Sequence, residues 1–277
     1  MVPGGCAGSH LPQITSVRNP RVQYIRKLYQ KKYRDREGRF AIEGVRFIEE
    51  ALASGARLHA AFFAPDLLES DRGRLLAERL RERPVDCFTV SRHVLDAVAD
   101  VATTQGICAV AEKLEPRLDE VVTQPSPLIV VLHNLQDPGN VGTIIRTASA
   151  AGASGVILTG STADEYNPKT LRATMGAIFN IPTVRVASLL ELLQTLRSAG
   201  ISTVAGDAGA KTMYFNHDFR VPVAILVGNE GSGLRGDILN SVEEAVAIPM
   251  PGRAESLNVA VAASLLIYEA LRQRMNV

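Results

Sequence analysis

Leu128-Ile129-Val130-Val131-Leu132 is an unbroken apolar run, and Asn140-Val141-Gly142-Thr143-Ile144-Ile145-Arg146-Thr147-Ala148 follows it across a short polar loop. A run of this kind reads as a strand buried on both faces, which is the condition of a parallel sheet. The second block reads as a helix continuing to Ala151, with Asn140 able to cap its start and Gly152 able to end it. The same rhythm continues downstream. Further strands are expected at 156–158, 182–186, 201–205, 223–227 and 245–248, with helices between most of them and a long helix at the end. Strand–helix alternation predicts an α/β fold whose parallel sheet is covered on both faces.

Upstream of this region, 13–112 reads as a small α/β domain of its own. Helical patterns fall at 14–29, 45–54, 67–83 and 94–99, and short strands at 39–43, 58–63, 85–90 and 106–110. Between the two regions, 113–127 is polar and carries Pro116, Pro125 and Pro127, so it reads as a linker with room for a helical turn at 118–122. Residues 1–12 read as a disordered start. The charge-rich segment from Arg18 to Arg39 holds nine basic residues against Asp35 and Glu37, interleaved with Tyr24, Tyr29 and Tyr33. Aromatic and basic side chains in that mixture resemble a nucleic-acid surface, with a solvated helix face as the plainer alternative.

Composition narrows the class. A length of 277 residues, 46% hydrophobic and 21% charged, suits a globular protein of one or two domains. The formal net charge of +1 excludes gross attraction to a polyanion and leaves any such attraction to the local basic run. Cys6, Cys87 and Cys108 are odd in number and widely spaced, which argues against a disulfide framework and a zinc site and fits a reducing cytoplasm. The five histidines show no ligand spacing, so no metal is expected. No secretory signal and no long apolar segment is seen, so no membrane role is expected either.

Two further segments carry chemistry. After 223–227 comes Gly228-Asn229-Glu230-Gly231-Ser232-Gly233. Its G-x-x-G-x-G spacing is neither the dinucleotide fingerprint nor a Walker loop, which counts against a dinucleotide-dependent oxidoreductase. What it offers is a strand exit where backbone can approach a ligand, with Glu230 as an acceptor; a tight turn is the plainer reading. After 245–248 comes Pro249-Met250-Pro251-Gly252, then Glu255-Ser256-Leu257-Asn258 at the head of the last helix. Ser256 or Asn258 could cap that helix, and Leu257, Val261, Leu265, Tyr268 and Leu271 mark an apolar face. In the Asn140 block, Arg146 is the only charge among small and apolar neighbours, and it either snorkels or meets an anion. Asn140 and Arg146 lie about 240° apart around a helix, so a shared site needs a second element such as another subunit.

In this order the three blocks resemble the signature motifs of the SpoU (TrmH-type) family of RNA ribose 2′-O-methyltransferases, within the knotted SPOUT superfamily. The likeness rests on N-x-G-x-x-x-R-T-A at Asn140 to Ala148, on Gly228, Glu230 and Gly233, and on Ser256-Leu257-Asn258 with Tyr268-Glu269. It spans 128–277; Ala260 departs from it where many relatives carry serine. The first domain, with Asn19-Pro20-Arg21 and Phe40-Ala41-Ile42-Glu43-Gly44, is similar to the ribosomal-protein-like RNA-binding domains often fused to this catalytic half. The resemblance implies a deep trefoil knot, a homodimer and S-adenosylmethionine as methyl donor. It implies cofactor contacts at Gly228, Ile248, Met250 and Leu257, and a catalytic site built from Asn140, Arg146, Glu230, Ser256 and Asn258. RNA would be held by Arg18, Arg21, Arg26, Lys27 and Arg46. The expected substrate is structured RNA, ribosomal RNA first; transfer RNA and a non-catalytic RNA-binding role are the alternatives. In the family the arginine matching Arg146 is proposed as a base. Deprotonating it near neutral pH would cost roughly 8 kcal/mol, so Arg146 is read here as orienting a phosphate and stabilising a developing alkoxide.

Overall fold

The chain divides after Lys113 into two units, each built on its own sheet. The structure is a computed structural model describing residues 11–275 except 101–103, 232, 235 and 254. Most of the expected disordered start, with Cys6, lies outside the described residues.

The first unit runs β1 (Gln13–Ile14), α1 (Pro20–Leu28), α2 (Lys31–Glu37), β2 (Arg39–Glu43), α3 (Val45–Ala53) and β3 (Leu58–Phe63). It continues through α4 (Pro65–Glu69), α5 (Asp71–Arg81), β4 (Asp86–Val90), α6 (Arg92–Val98) and β5 (Ile107–Glu112). The strand order is β1-β4-β3-β5-β2, parallel at β1/β4 and β3/β4 and antiparallel where β5 meets β3 and β2. Val22, Ile25 and Leu28 of α1 and Val94, Leu95 and Val98 of α6 bury against Phe62, Phe88 and Val110 of the sheet.

Two expectations for this unit need correction. The segment 14–29 is not all helix: Ile14 pairs with Val90 in β1, and α1 begins only where the Asn19 side chain accepts from the Arg21 amide at 2.9 Å. Proline at the first helical position reinforces that start. The helix expected at 67–83 is two helices. Ser70 divides them, because its hydroxyl donates to the Leu67 carbonyl at 2.7 Å and accepts from the Gly73 amide at 3.0 Å.

The second unit opens with α7 (Leu118–Val122), β6 (Leu128–His133), α8 (Pro138–Ala150), β7 (Gly155–Thr159), α9 (Pro168–Thr174), β8 (Thr183–Val186) and α10 (Leu189–Ser198). Then come β9 (Ser202–Gly206), β10 (Thr212–Met213), β11 (Val223–Val227), α11 (Gly236–Leu239), β12 (Glu244–Ala247) and α12 (Val259–Met275). The order is β10-β12-β9-β11-β6-β7-β8, and every pairing is parallel. Ile129, Val131, Ile157 and Leu226 pack on one face with Leu192, Leu193 and Leu196 of α10. Their alternate neighbours Val130, Leu132, Leu158 and Ile225 are equally buried and point the other way, toward the side of α8 and α12. This is the covered parallel sheet that the apolar runs predict.

The linker reading also changes. Val121 of α7 is fully buried in the core of the second unit, and the Leu114 amide and carbonyl both bond the Tyr166 hydroxyl, at 3.0 and 2.9 Å. The prolines of 113–127 therefore shape a packed lead-in to the sheet. Near the far end, Arg274 of α12 donates to the carbonyls of Phe219, Ser126, Pro127 and Val221. One guanidinium thus joins the last helix to the segments entering β6 and β11.

Candidate active site

Parallel strands end on one side of their sheet, and ligands of open α/β folds gather there. In the second unit β9, β11 and β12 stand as neighbours, and their exits enclose a cleft of about 290 Å³. That volume is at the lower end of the range of small-molecule sites, ~300–1,000 Å³. Gly206 and Asp207 leave β9, Gly228 to Gly231 leave β11, and Ile248 and Met250 leave β12. Ser256 and Leu257 complete the wall from the approach to α12, with Leu266 from the helix itself.

The glycine loop has a structural cause for its composition. Asn229 and Gly233 pair as an antiparallel bridge, exchanging bonds of 3.1 and 2.9 Å, so the loop folds back on its own strand. A Cβ on Gly228 would come 2.4 Å from the carbonyl carbon and oxygen of Gly233, closer than any side chain tolerates. Gly142 serves differently: a Cβ there would meet the Thr170 carbonyl oxygen at 2.3 Å, so this glycine of the Asn140 block lets α9 lie close on α8.

One continuous hydrogen-bonded chain joins the three sequence blocks. Glu230 accepts from the amides of Gln136 and Asp137 at 3.1 and 3.0 Å and from the Asn140 side chain at 3.3 Å. Asn140 in turn accepts from the Asn258 side chain at 3.1 Å. Asn258 accepts from the amides of Ala260 and Val261 at 2.9 and 3.3 Å, so it caps α12, one of the two candidates for that role. Burial of the Glu230 carboxylate works to raise its pKa, but the amides of Asp137 and Gln136, with help from Asn140, outweigh it and hold the group below the ordinary glutamate value. Asn140 is therefore not the cap of α8. Asp137 caps it, accepting from the Gly139 amide, with Pro138 at the first position. Having been displaced into the first turn, Asn140 is free to bridge Glu230 and Asn258.

The expected cofactor contacts Gly228, Ile248, Met250 and Leu257 all line the cleft, as do Glu230 and Ser256. Asn140 and Asn258 join it through the hydrogen-bonded chain. Arg146 does not: it stands exposed on α8, and among the described residues it has no hydrogen bond or ion pair. Sequence reading missed Gly206, Asp207 and Ala208, although Gly-Asp-Ala-Gly after an apolar run is the same strand-exit signal that marked Gly228. It also missed Asn134, whose left-handed backbone (φ 58°) ends β6 and whose carbonyl accepts from the Asn229 side chain at 3.1 Å.

The apolar face expected on α12 is real but points outward. Ala260, Ala263, Ile267 and Ala270 are the buried side, whereas Val261, Leu265 and Tyr268 are 49%, 37% and 49% exposed. The helix is apolar on both sides, and its small residues fit the tight contact with α8, where the Thr147 and Ser264 hydroxyls meet at 3.3 Å.

In the first unit Arg18, Arg21, Arg26, Lys27 and Arg46 are all exposed. Arg21 lies over the Phe88 ring at 4.8 Å, and Tyr33 receives Lys27 and Arg36 at 5.8 and 5.0 Å. Arg34 is an exception within the basic run. It is buried and donates to the carbonyls of Leu28 and Tyr29 at 3.0 and 2.8 Å, closing the end of α1. Among the described residues no group of His, Cys, Asp or Glu could hold a metal ion, and no helix is long and apolar enough to cross a membrane.

Comparison with known proteins adds the following. The SpoU rRNA methylase family matches residues 127–268, and an MRM3-like substrate-binding domain matches residues 19–109. An uncharacterized tRNA/rRNA methyltransferase of Synechocystis sp. is 36% identical over 96% of both chains. A 23S rRNA guanosine 2′-O-methyltransferase of Bacillus subtilis is 35% identical over 93% of this chain and 98% of its own. An rRNA methyltransferase of Sinorhizobium meliloti, solved with S-adenosylmethionine bound, superimposes with a TM-score of 0.85 at 35% identity, covering 95% of this chain and 98% of the other.

Proposed function

The chain belongs to the SpoU rRNA methylase family, and from that premise we propose that it transfers a methyl group from S-adenosylmethionine to a ribose 2′-hydroxyl of ribosomal RNA. The observation that carries the reading is the cleft at the exits of β9, β11 and β12, whose lining residue Glu230 is tied through Asn140 to Asn258, so that one hydrogen-bonded chain links the three motifs. The fit to an adenosyl cofactor is chemical. Val246, Ile248, Leu257 and Leu266 give apolar walls for a flat base, and backbone at three strand exits can bond its edge. Bound there, the cofactor supplies a methyl group on a sulfonium.

The protein's part is positioning and charge. A ribose hydroxyl is a weak nucleophile and must lie in line with the methyl group, so holding both is the first requirement. Glu230, Asn140 and Asn258 fix the glycine loop against the head of α12 and so hold the cleft's walls at a set spacing. Ser256 and Leu257 close it from that side. Arg146 binds a backbone phosphate through its planar fork and stabilises charge growing on the ribose oxygen as the hydroxyl proton passes to water.

Because Arg146 does not reach the cleft of its own chain, this reading includes a homodimer. The outward stripe Val261, Leu265 and Tyr268 on α12, beside α8, supports it as the contact surface. The deep trefoil knot of the superfamily belongs to the same reading, as does RNA capture by Arg18, Arg21, Arg26, Lys27 and Arg46 of the first unit. An RNA substrate and two buried free thiols, Cys87 and Cys108, agree with a cytoplasmic setting. Mapping ribose 2′-O-methyl groups in total RNA from cells with and without the gene tests the proposal. One ribosomal nucleotide should lose its methyl group; a lost site in transfer RNA, or no lost site, would refute it.

A further inference from the structure

The cleft contains a carboxylate that the reading above leaves idle. Asp207 follows Gly206 at the exit of β9, which stands between β11 and β12 in the sheet, so it rises from the middle of the cleft. Its backbone is fixed. The Asp207 amide donates to the Val246 carbonyl at 3.0 Å as a last rung between β9 and β12, and its carbonyl accepts from the Ala210 amide at 3.2 Å to close a turn.

Asp207 is half-buried and lines the cleft, and its side chain has no hydrogen bond or ion pair among the described residues. Glu230, also in the lining, differs: both its oxygens are taken by Gln136, Asp137 and Asn140. The Asn229 side chain is likewise engaged, with the Asn134 carbonyl and the Gly231 amide. A Cβ on Gly209 would lie 3.3 Å from Oδ2 of Asp207, and glycine there leaves the carboxylate room to turn. A carboxylate with no partner in its own chain keeps its acceptor oxygens open to the donors of a ligand.

We propose that Asp207 is a cofactor-binding residue, accepting hydrogen bonds from the donors of an adenosyl ligand: its ribose hydroxyls or its α-ammonium group. The inference rests on the cleft being the methyl-donor site. Its negative charge complements a ligand that carries a sulfonium and an ammonium, and its central place on β9 puts it within one strand spacing of the walls on either side.

Calorimetric titration of the full-length protein with S-adenosylhomocysteine tests it on the wild type, Asp207→Asn and Asp207→Ala. Thermal unfolding of each variant identifies folded protein, and the near-isosteric Asp207→Asn serves if the alanine variant does not fold. Binding should weaken about tenfold or more, the size of one charge-assisted hydrogen bond. Repeating the titration with 5′-methylthioadenosine, which lacks the amino-acid part, assigns the donor. A loss with both ligands points to the ribose, and a loss confined to S-adenosylhomocysteine points to the ammonium. Affinity within twofold of wild type in both variants overturns the role of Asp207 while leaving the methyl-donor reading intact. No binding by the wild type itself overturns both.

Discussion

The two units carry their chemistry in different places, and strand direction explains why. In the first, β5 runs antiparallel between β2 and β3, so strand ends of opposite polarity mix on each side of the sheet. Its exposed charge lies instead on helix surfaces, at Arg21, Arg26 and Lys27 of α1 and Arg46 of α3. In the second unit every pairing is parallel, so all exits open on one side and adjacent loops become one cleft. The contrast extends to two arginines. Arg34 is buried and spends its donors on carbonyls at the end of α1, whereas Arg146 is exposed and free of such bonds among the described residues. One arginine completes a fold; the other is held ready for something outside it.

The largest expected effect therefore falls on Arg146. Arg146→Ala should lower methylation about 10²–10³-fold, the scale of a lost charge stabiliser, with cofactor affinity unchanged by calorimetry. Arg146→Lys should recover little of it, since an ammonium lacks the planar fork; near-full activity of the lysine variant would break the assignment. Gly228→Ala strikes the cleft instead: its methyl overlaps Gly233 backbone, which should cost about 1–3 kcal/mol in thermal stability and weaken cofactor binding. Leu265→Asp places a charge in the outward stripe of α12 and should convert a dimer to monomer in sedimentation, each monomer still folded. A dimer that persists would mean that the α12 stripe is not the contact surface.

Two smaller effects separate the units further. The Glu230 pKa is lowered in the folded state, so between its folded and unfolded values the unfolded chain binds a proton that the folded chain refuses. Stability rises with pH in that window. The Glu230 contribution is complete above the unfolded-state value of roughly 4.3 and is lost as pH falls through the folded one. Glu230→Gln should flatten that part of the acid unfolding profile, and an unaltered profile would mean its bonds carry no stability. In the first unit, Arg26→Glu with Lys27→Glu should weaken RNA binding severalfold and lessen its salt dependence, by a slope of about 0.7–0.9 per lost phosphate contact. Cofactor affinity should not move.

Most strands of the second unit are legible because burial on both faces leaves only apolar residues, as in Val223–Val227, where expectation and structure agree. It named the cleft residues Gly228, Ile248, Met250 and Leu257 through a family pattern, with the strand exits as physical support. The failures share a cause: each depended on a partner distant in the chain. Asn140 looks like a cap until Asp137-Pro138 takes that role, and nothing local shows that Glu230 and Asn258 will claim it. Likewise Leu265 and Tyr268 mark one apolar face of α12, but the helix is apolar on two sides, and only the contact with α8 shows that the alanine side is the buried one. Gly206-Asp207-Ala208-Gly209 carries the same strand-exit signal as Gly228, but only the neighbours β11 and β12 show that Asp207 belongs to the cleft.

The order of the second sheet also bears on when the protein becomes competent. Strands β6, β7 and β8 pair with one another in succession and use short-range contacts. The other half closes only when β11 returns to β6 across the intervening chain and β9 and β12 line up beyond it. Loop-closure cost makes such distant pairings late events. A chain growing from its amino end would thus acquire a hydrophobic scaffold early and a ligand site last, with Arg274 fastening α12 over the finished sheet. Half-made copies would hold no cofactor, so synthesis itself keeps the enzyme silent until its sheet is whole.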